Sequence, residues 1–257
     1  MNEIEEVQLE WKYTPEKYFE EPICFKDEGF KLSISDGIAL ARIDPYFYSK
    51  NKGIKEQLTN LIENRLHARQ IMFHEKFTLS KASRSDLRKD GAKNVFVELD
   101  SLVMSSSIGS VDIIVQDKEG NIVSNTKQDR MDKQNWFADT IDKYRSIDPT
   151  LDQMLRSYHQ SVHDPADELV HLYEIRDALS SRFGNTDKAL KNLRITKKEW
   201  DIIGDLANAQ PFEEGRHRGK SAGLLRPAGD HELNIARECA RNLVEKYLKF
   251  LESSGVA

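Results

Sequence analysis

The sequence has few of the features that mark secreted, membrane-bound and metal-binding proteins. It contains two cysteines, Cys24 and Cys239, among 257 residues, and no apolar run near the roughly 20 residues that a membrane-spanning helix needs. Its first residues are acidic, whereas a secretory signal begins with basic and then apolar residues. These absences predict reduced thiols and a cytoplasmic location rather than a disulfide framework.

Motifs of several enzyme classes are also missing. The chain has no Cys-x-x-Cys or His-Glu-x-x-His metal pattern and no glycine-rich nucleotide loop of either common type. Glu168 and His171 have the three-residue spacing of some metal sites in helical bundles, but a matching second helix is not evident. Acids at a helix amino terminus are the simpler interpretation of residues 163–171. We therefore expect no metal, no cofactor and no ATP-driven chemistry.

Charge is distributed unevenly along the chain. Residues 1–28 hold nine acids and three lysines, a net charge of −6, so the remainder sums to +1 although the whole chain carries −5. This remainder is compatible with an anion-binding face. A solvated acidic lead-in is the simpler interpretation of the first 28 residues.

The first half of the chain has the pattern of a small mixed sheet with one helix. Alternation around Asp36-Gly37 predicts a hairpin with a two-residue turn, and apolar residues in 54–66 repeat at helical spacing. Alternation at 71–79, at 95–99 and at 111–123, where Gly120-Asn121 forms a turn, predicts further strands. Residues 80–94 are interpreted as a polar connecting loop, or alternatively as a mobile arm that contacts a polyanion.

From about residue 128 the pattern is helical. Asp164-Pro165 is typical of a helix start, and Gly184 of a helix end. Thr196–Glu199 forms a capping box, and Asp230 is expected to cap a last helix with a full apolar stripe. Residues 187–206 form either a helical hairpin or a helix-turn-helix, and acids on the second helix disfavour DNA binding.

The sequence therefore predicts an α+β protein of two domains. A β-rich domain with the acidic segment is expected over residues 1–127, and an all-α helical domain over residues 128–257.

The most distinctive segment is the basic loop, residues 215–231, with the sequence GRHRGKSAGLLRPAGDH. Its acid-free part carries four basic side chains: Arg216, Arg218, Lys220 and Arg226. His217 lies between the first two arginines. Guanidinium groups, imidazoles and glycines in one loop are suited to phosphate or carboxylate recognition. We therefore expect Arg216, His217, Arg218 and Lys220 to bind a ligand.

Arg226 and His231 stand with four residues between them, where the basic loop enters the last helix. This spacing, with a long helix and a helical hairpin before it, resembles the HEPN domains, which are helical modules of microbial defence and toxin systems. The resemblance covers the helical half of the chain, and Pro227 occupies a position where the family prefers Asn, Asp or His. It implies a metal-independent ribonuclease that acts as a dimer, in which His231 activates the ribose 2′-hydroxyl and Arg226 holds the phosphate.

The leading functional hypothesis is a cytoplasmic accessory or defence-type protein that binds a phosphate-bearing ligand, with RNA as the expected ligand. The rival hypothesis is a non-enzymatic interaction protein whose sheet domain docks a partner chain. In that case Arg216 and Arg218 pair with Glu213, Glu214 or the acidic segment and only fasten the structure. An enzyme for a small phosphorylated or carboxylated metabolite is a third alternative.

Overall fold

The computed structural model describes residues 4–90, 93–96, 112, 114–116, 122–221 and 223–255. An antiparallel sheet is followed by a helical region, which confirms the α+β class. The chain forms two compact units. The sheet unit comprises Met1–Leu66 and Lys76–Val123, and the helical unit comprises His67–Glu75 and Ser124–Ala257.

The main sheet has seven strands, ordered β2-β3-β4-β1-β6-β7, with β5 also paired to β1. All of the pairs are antiparallel. The strands are β1 (Ile4–Thr14), β2 (Ile23–Lys26), β3 (Phe30–Ser35), β4 (Ile38–Ile43), β5 (Thr78–Leu79), β6 (Ser83–Arg88) and β7 (Lys93–Phe96). A helix α1 (Pro45–Lys50) follows β4.

The predicted hairpin at Asp36-Gly37 is confirmed. Ser35 pairs with Ile38, so the turn contains two residues. Asp36 and Gly37 have φ angles of 49° and 80°. Two successive residues with positive φ match the right-handed twist of the flanking strands, and aspartate and glycine tolerate that conformation best.

The interpretation of residues 1–28 as a solvated acidic segment is wrong for β1. This strand lies between β4 and β6 in the sheet. Its side chains alternate, so that Val7, Leu9, Trp11 and Tyr13 are buried. Glu6 and Glu10 alternate with these residues along the strand, where a two-residue period directs them to the other face.

Two further strand assignments are corrected. The strand predicted over residues 71–73 is wrong, because α2 (Ile54–Phe73) continues through it. The next residue, His74, has a φ of 54° and lies outside the helix. The loop predicted over residues 80–94 is wrong where β6 pairs with β1, since the polar residues Ser85 and Asp86 are buried there. Backbone hydrogen bonds to a neighbouring strand can keep a polar segment in a sheet even when its sequence has no alternation of apolar residues.

A second, two-stranded sheet pairs β8 (Ile114–Gln116) with β9 (Ile122–Asn125). Residues 95 and 96 of the strand predicted at 95–99 belong to β7. Residues 97–99, 111, 113 and 117–121, which include the predicted Gly120-Asn121 turn, lie outside the described residues.

The helical unit contains α3 (Thr126–Tyr144), α4 (Pro149–His163), α5 (Glu168–Phe183), α6 (Thr186–Leu193), α7 (Lys197–Gly204) and α8 (Asp230–Ser254). A π-helical turn, Asp205–Ala209, extends α7. The apolar stripe of α8 is buried and packs in one core with α3–α7. Among the described helices, none is both long and apolar enough to cross a membrane.

The helix ends test the capping predictions. Gly184 ends α5 with a φ of 86°, and Thr196 and Glu199 form the capping box, so both predictions are confirmed. The predicted cap by Asp230 is wrong, because Gly229 is the amino-terminal cap and its N–H donates to the Glu232 carboxylate at 2.7 Å. Asp164 makes no side-chain cap, and a 3-10 turn separates it from α5.

Candidate functional site

Backbone hydrogen bonds close the basic loop at its base. The Arg226 N–H donates to the carbonyl of Pro211, and the Glu213 N–H donates to the carbonyl of Arg226, both at 3.0 Å. The Arg216 N–H donates to the carbonyl of Ala207 at 2.8 Å. At Gly215 an added Cβ would lie 3.0 Å from that same carbonyl oxygen, so the close approach favours glycine.

Arg216 lies against α5. Its guanidinium carbon is 4.2 Å from the centre of the Tyr173 ring, and Nη1 is 3.6 Å from Asp177 Oδ2. The Arg216 side chain keeps 35% of its surface exposed. A ring face and one carboxylate therefore orient this guanidinium without covering it.

Arg218 lies at the amino-terminal end of α5. Its Nη2 donates to the carbonyl of Ala166 at 2.8 Å and to the carboxylate of Asp167, in the turn just before the helix. These contacts correct the alternative in which Arg216 and Arg218 pair with Glu213, Glu214 or the acidic segment. Their partners are aspartates of the helical unit, and the Glu214 carboxylate accepts from the Ala228 N–H at 2.9 Å.

Arg226 contacts its carboxylate partner through two nitrogen atoms. Nη1 and Nη2 donate to the two oxygens of Glu232 at 3.0 and 2.6 Å, and the guanidinium carbon lies 4.5 Å from the centre of the Phe212 ring. Arg226 and the Gly229 N–H lower the pKa of Glu232 to about 2. The guanidinium of Arg226 is therefore occupied by a bidentate carboxylate.

The structure places the predicted residues in three positions. Arg216 and Arg218 lie along α5, whereas Arg226 and His231 lie at the start of α8. The exposed His217 and Lys220 lie in the loop and make no ion pair within the described part of the chain.

Residues 219–223 read Gly-Lys-Ser-Ala-Gly and so match the letters of the Gly-x-Ser-x-Gly pattern. The pattern marks a nucleophile where a strand turns sharply into a helix. Here Arg218–Ser221 form a 3-10 turn, and residues 213–217 before it belong to no strand. The context of a nucleophile elbow is therefore not met.

A second polar cluster lies in the helical unit and was not predicted. It surrounds a cavity of about 210 Å³. The cavity is lined by Ile71, Met72, Phe73, His74, Tyr158, Asn234, Arg237, Glu238 and Arg241. We call it the α8 cavity, because four of these residues belong to α8. The only local sign in the sequence is the helical spacing of Arg237 and Arg241 beside an apolar stripe.

Glu168 is the charged centre of this cluster. It is 2% exposed and accepts hydrogen bonds from Arg237 Nε at 2.6 Å and Nη2 at 2.8 Å. His74 Nε2 lies 3.4 Å from the same carboxylate. Burial and the positive charge of Arg237 lower the pKa of His74 to about 3, so this imidazole is neutral at neutral pH.

The described residues contain no group of three or more His, Cys, Asp or Glu side chains placed to hold a metal ion. His171 lies 3.6 Å from the carboxylates of Asp164 and Glu174, whereas Glu168 is bound by Arg237.

Comparison with known proteins adds no assignment: no family model matches the chain, and no curated protein or solved structure matches it significantly.

Proposed function

We propose that the basic loop binds a phosphate-bearing polyanion, with RNA as the ligand, in an accessory or defence-type protein of the cytoplasm. The observation that carries the proposal is that the side chains of Arg216 and Arg218 are oriented by contacts but remain partly exposed to solvent. Each guanidinium is held by one aspartate, Asp177 on α5 or Asp167 just before it, yet 35% and 40% of the side-chain surfaces of Arg216 and Arg218 stay exposed. The exposed His217 and Lys220 lie in the same loop.

Phosphate groups can compete with these aspartates. A guanidinium has five N–H donors, so one carboxylate leaves donors available. Exposed ion pairs contribute about 0–1 kcal/mol, which a phosphate contact can replace. The existing contacts also reduce the entropy that Arg216 and Arg218 would lose on binding. The expected interaction is of moderate affinity and strongly dependent on salt.

The first test is the double variant Arg216→Ala/Arg218→Ala in a fluorescence anisotropy titration with a labelled single-stranded RNA. We expect at least a tenfold loss of affinity at low salt, because two phosphate contacts are removed. The slope of log affinity against log salt should become shallower by about 1.4, at about 0.7 for each lost contact to a single strand.

Lys197→Ala/Lys198→Ala is the matched control. It removes two positive charges from α7, and Lys197, 77% exposed, is also paired with an aspartate. The control should keep affinity within about twofold. An equal loss of RNA affinity in the two double variants would show that binding depends only on the net charge of the protein, and the proposal would fail.

We extend the proposal to metal-independent cleavage by a dimer, with His231 as the acid-base and Arg226 as the phosphate holder, as the HEPN resemblance implies. His231 is exposed in the first turn of α8, within reach of solvent and ligand. Cleavage should persist with a chelator and be lost in His231→Ala, and sedimentation should show a dimer. Cleavage that survives His231→Ala would contradict the assignment.

Arg226 must leave Glu232 to hold a phosphate, so Glu232→Gln should raise RNA affinity by roughly two- to fivefold. Glutamine keeps an oxygen that can accept from the Gly229 N–H and so preserves the helix cap. Affinity is measured by the same anisotropy titration. Arg226→Ala in the Glu232→Gln background should remove the gain, and a gain that remains would exclude Arg226 as the phosphate contact.

A second candidate is that the basic loop is purely structural, in a non-enzymatic interaction protein. Its support is that Arg216, Arg218 and Arg226 each have a carboxylate partner within the helical unit. In that case Arg216→Ala/Arg218→Ala would lower the melting temperature markedly, and RNA would not bind the unchanged protein.

A further inference from the structure

The α8 cavity has room for a molecule of a few non-hydrogen atoms. Its volume is about 210 Å³, well above the ~10–15 Å³ that one water molecule requires. Ile71, Met72 and Phe73 form an apolar part of the lining, and Arg237 and Arg241 supply positive charge. An apolar wall with a few polar groups is typical of sites that orient a small ligand.

Two buried nitrogen atoms at this cavity lack hydrogen-bond partners among the described residues. They are Nδ1 of His74 and Nε of Arg241. Arg241 does donate from Nη1 to the carbonyl of Met72 at 3.3 Å, but it forms no ion pair with a described carboxylate. Because buried polar atoms are almost always satisfied, two such atoms at one cavity indicate a missing polar partner.

The contacts of Glu168 indicate whether the unpartnered nitrogen of His74 is a hydrogen-bond donor or an acceptor. Its two oxygens accept from Arg237, which stabilises the ionised carboxylate. An ionised Glu168 favours the neutral tautomer of His74 that carries its proton on Nε2, the nitrogen 3.4 Å away. Nδ1 of His74 is then an acceptor, and Nε of Arg241 is a positively charged donor.

We propose that the α8 cavity binds a small monoanion that combines a carboxylate with a hydroxyl group, of the size and type of a 2-hydroxy acid. The carboxylate accepts from Arg241, and the hydroxyl donates to His74 Nδ1. Glu168 and Arg237 are positioning residues, since they fix the tautomer of His74. Glu238, an exposed acid in the lining, disfavours dianions such as phosphate. This site is separate from the basic loop and does not depend on its function.

Methyl NMR of methionine-labelled protein tests the proposal in the intact chain. Met72 lines the cavity, and Met131 of α3 does not, so the two methyl signals serve as probe and control. The Met72 signal is assigned with Met72→Leu. Lactate, acetate, inorganic phosphate and glycerol are titrated at constant ionic strength.

We expect a saturable shift of the Met72 signal with lactate, at least tenfold weaker binding of acetate and phosphate, and no response to glycerol. Arg241→Gln should weaken lactate binding at least tenfold, whereas Arg216→Ala/Arg218→Ala should leave it unchanged. Loss of RNA binding with intact lactate binding would therefore reject the loop proposal alone.

Three results would overturn the cavity proposal: no saturable shift of Met72 with lactate, an equal shift of Met131, or unchanged binding in Arg241→Gln. The ¹⁵N spectrum of the imidazoles in the unchanged protein provides a test that needs no variant. The His74 Nδ1 resonance should move on addition of lactate, and a stationary resonance would exclude the proposed hydroxyl contact.

Discussion

Replacement of Glu168 by alanine should lower the free energy of unfolding by about 3–5 kcal/mol, measured by urea denaturation at pH 7. Glu168 is 2% exposed and accepts two hydrogen bonds from Arg237. Its removal leaves the guanidinium of Arg237, which is 27% exposed, without its carboxylate. An unpaired charge in a largely buried position costs far more than the loss of an exposed ion pair.

Asp167→Ala is the matched control for this prediction. Asp167 is the preceding residue and also binds an arginine, but its side chain is 40% exposed. Its replacement should therefore cost at most about 1 kcal/mol. The double variant Glu168→Ala/Arg237→Met should be more stable than Glu168→Ala alone, because it removes the unpaired charge. A single variant no less stable than Asp167→Ala would show that Glu168 is not a buried ion-pair partner.

The features predicted correctly from the sequence are local ones. The Asp36-Gly37 turn, the Thr196–Glu199 capping box and the Gly184 helix end each depend on residues close together in the chain. The stripe of α8 repeats over a long segment, so its burial follows from periodicity alone. In each case the chain has one conformation that satisfies the local hydrogen bonds or apolar spacing.

The predictions of the fold were wrong where a charged composition concealed an alternating pattern or where pairing with a distant segment determines the structure. The nine acids in residues 1–28 indicated a solvated segment, although Val7, Leu9, Trp11 and Tyr13 alternate at the spacing of a strand with one buried face. β6 has almost no apolar pattern, and its position depends on pairing with β1, more than 70 residues earlier in the chain. At residues 71–73 the spacing of two apolar residues suited a strand, but the preceding helix simply continued.

In the candidate site, too, contacts between residues that are distant in the chain could not be predicted from the sequence. Its cationic residues are evident in the sequence, but the Asp167 and Asp177 partners lie about 40–50 positions away. Only the Arg226–Glu232 pair is local enough to be anticipated. The α8 cavity needs three distant segments to meet, which carry His74, Tyr158 and Arg237. Residue types that act together only after folding give no local signal.

Acid should destabilise the helical unit through two buried histidines, His67 and His74. Burial and the charge of Arg145 lower the pKa of His67 well below 6.5. Burial and Arg237 lower that of His74 to about 3, and Arg241, Glu238, Glu168 and Tyr158 also surround it.

The direction of the effect follows from which state binds protons. Below the unfolded pKa of about 6.5 the imidazoles bind protons in the unfolded chain but not in the folded protein. The histidine contribution to stability is therefore fully present above pH 6.5 and decreases as the pH falls. For His74 the loss continues to its folded pKa of about 3. His74 should cost about 2 kcal/mol between pH 6.5 and pH 5, at about 1.4 kcal/mol per pH unit, and His67 acts in the same direction.

Urea denaturation at pH 7, 6 and 5 measures this loss. His74→Gln should remove the contribution of His74 to the slope, because the glutamine amide binds no proton in this range. His217→Gln, which changes an exposed imidazole of the basic loop, should retain the slope of the unchanged protein. If His74→Gln also retains it, then His74 is protonated in the folded state near pH 5. Its Nδ1 would then be a donor, and the ligand of the α8 cavity would have to present an acceptor to it rather than a hydroxyl proton.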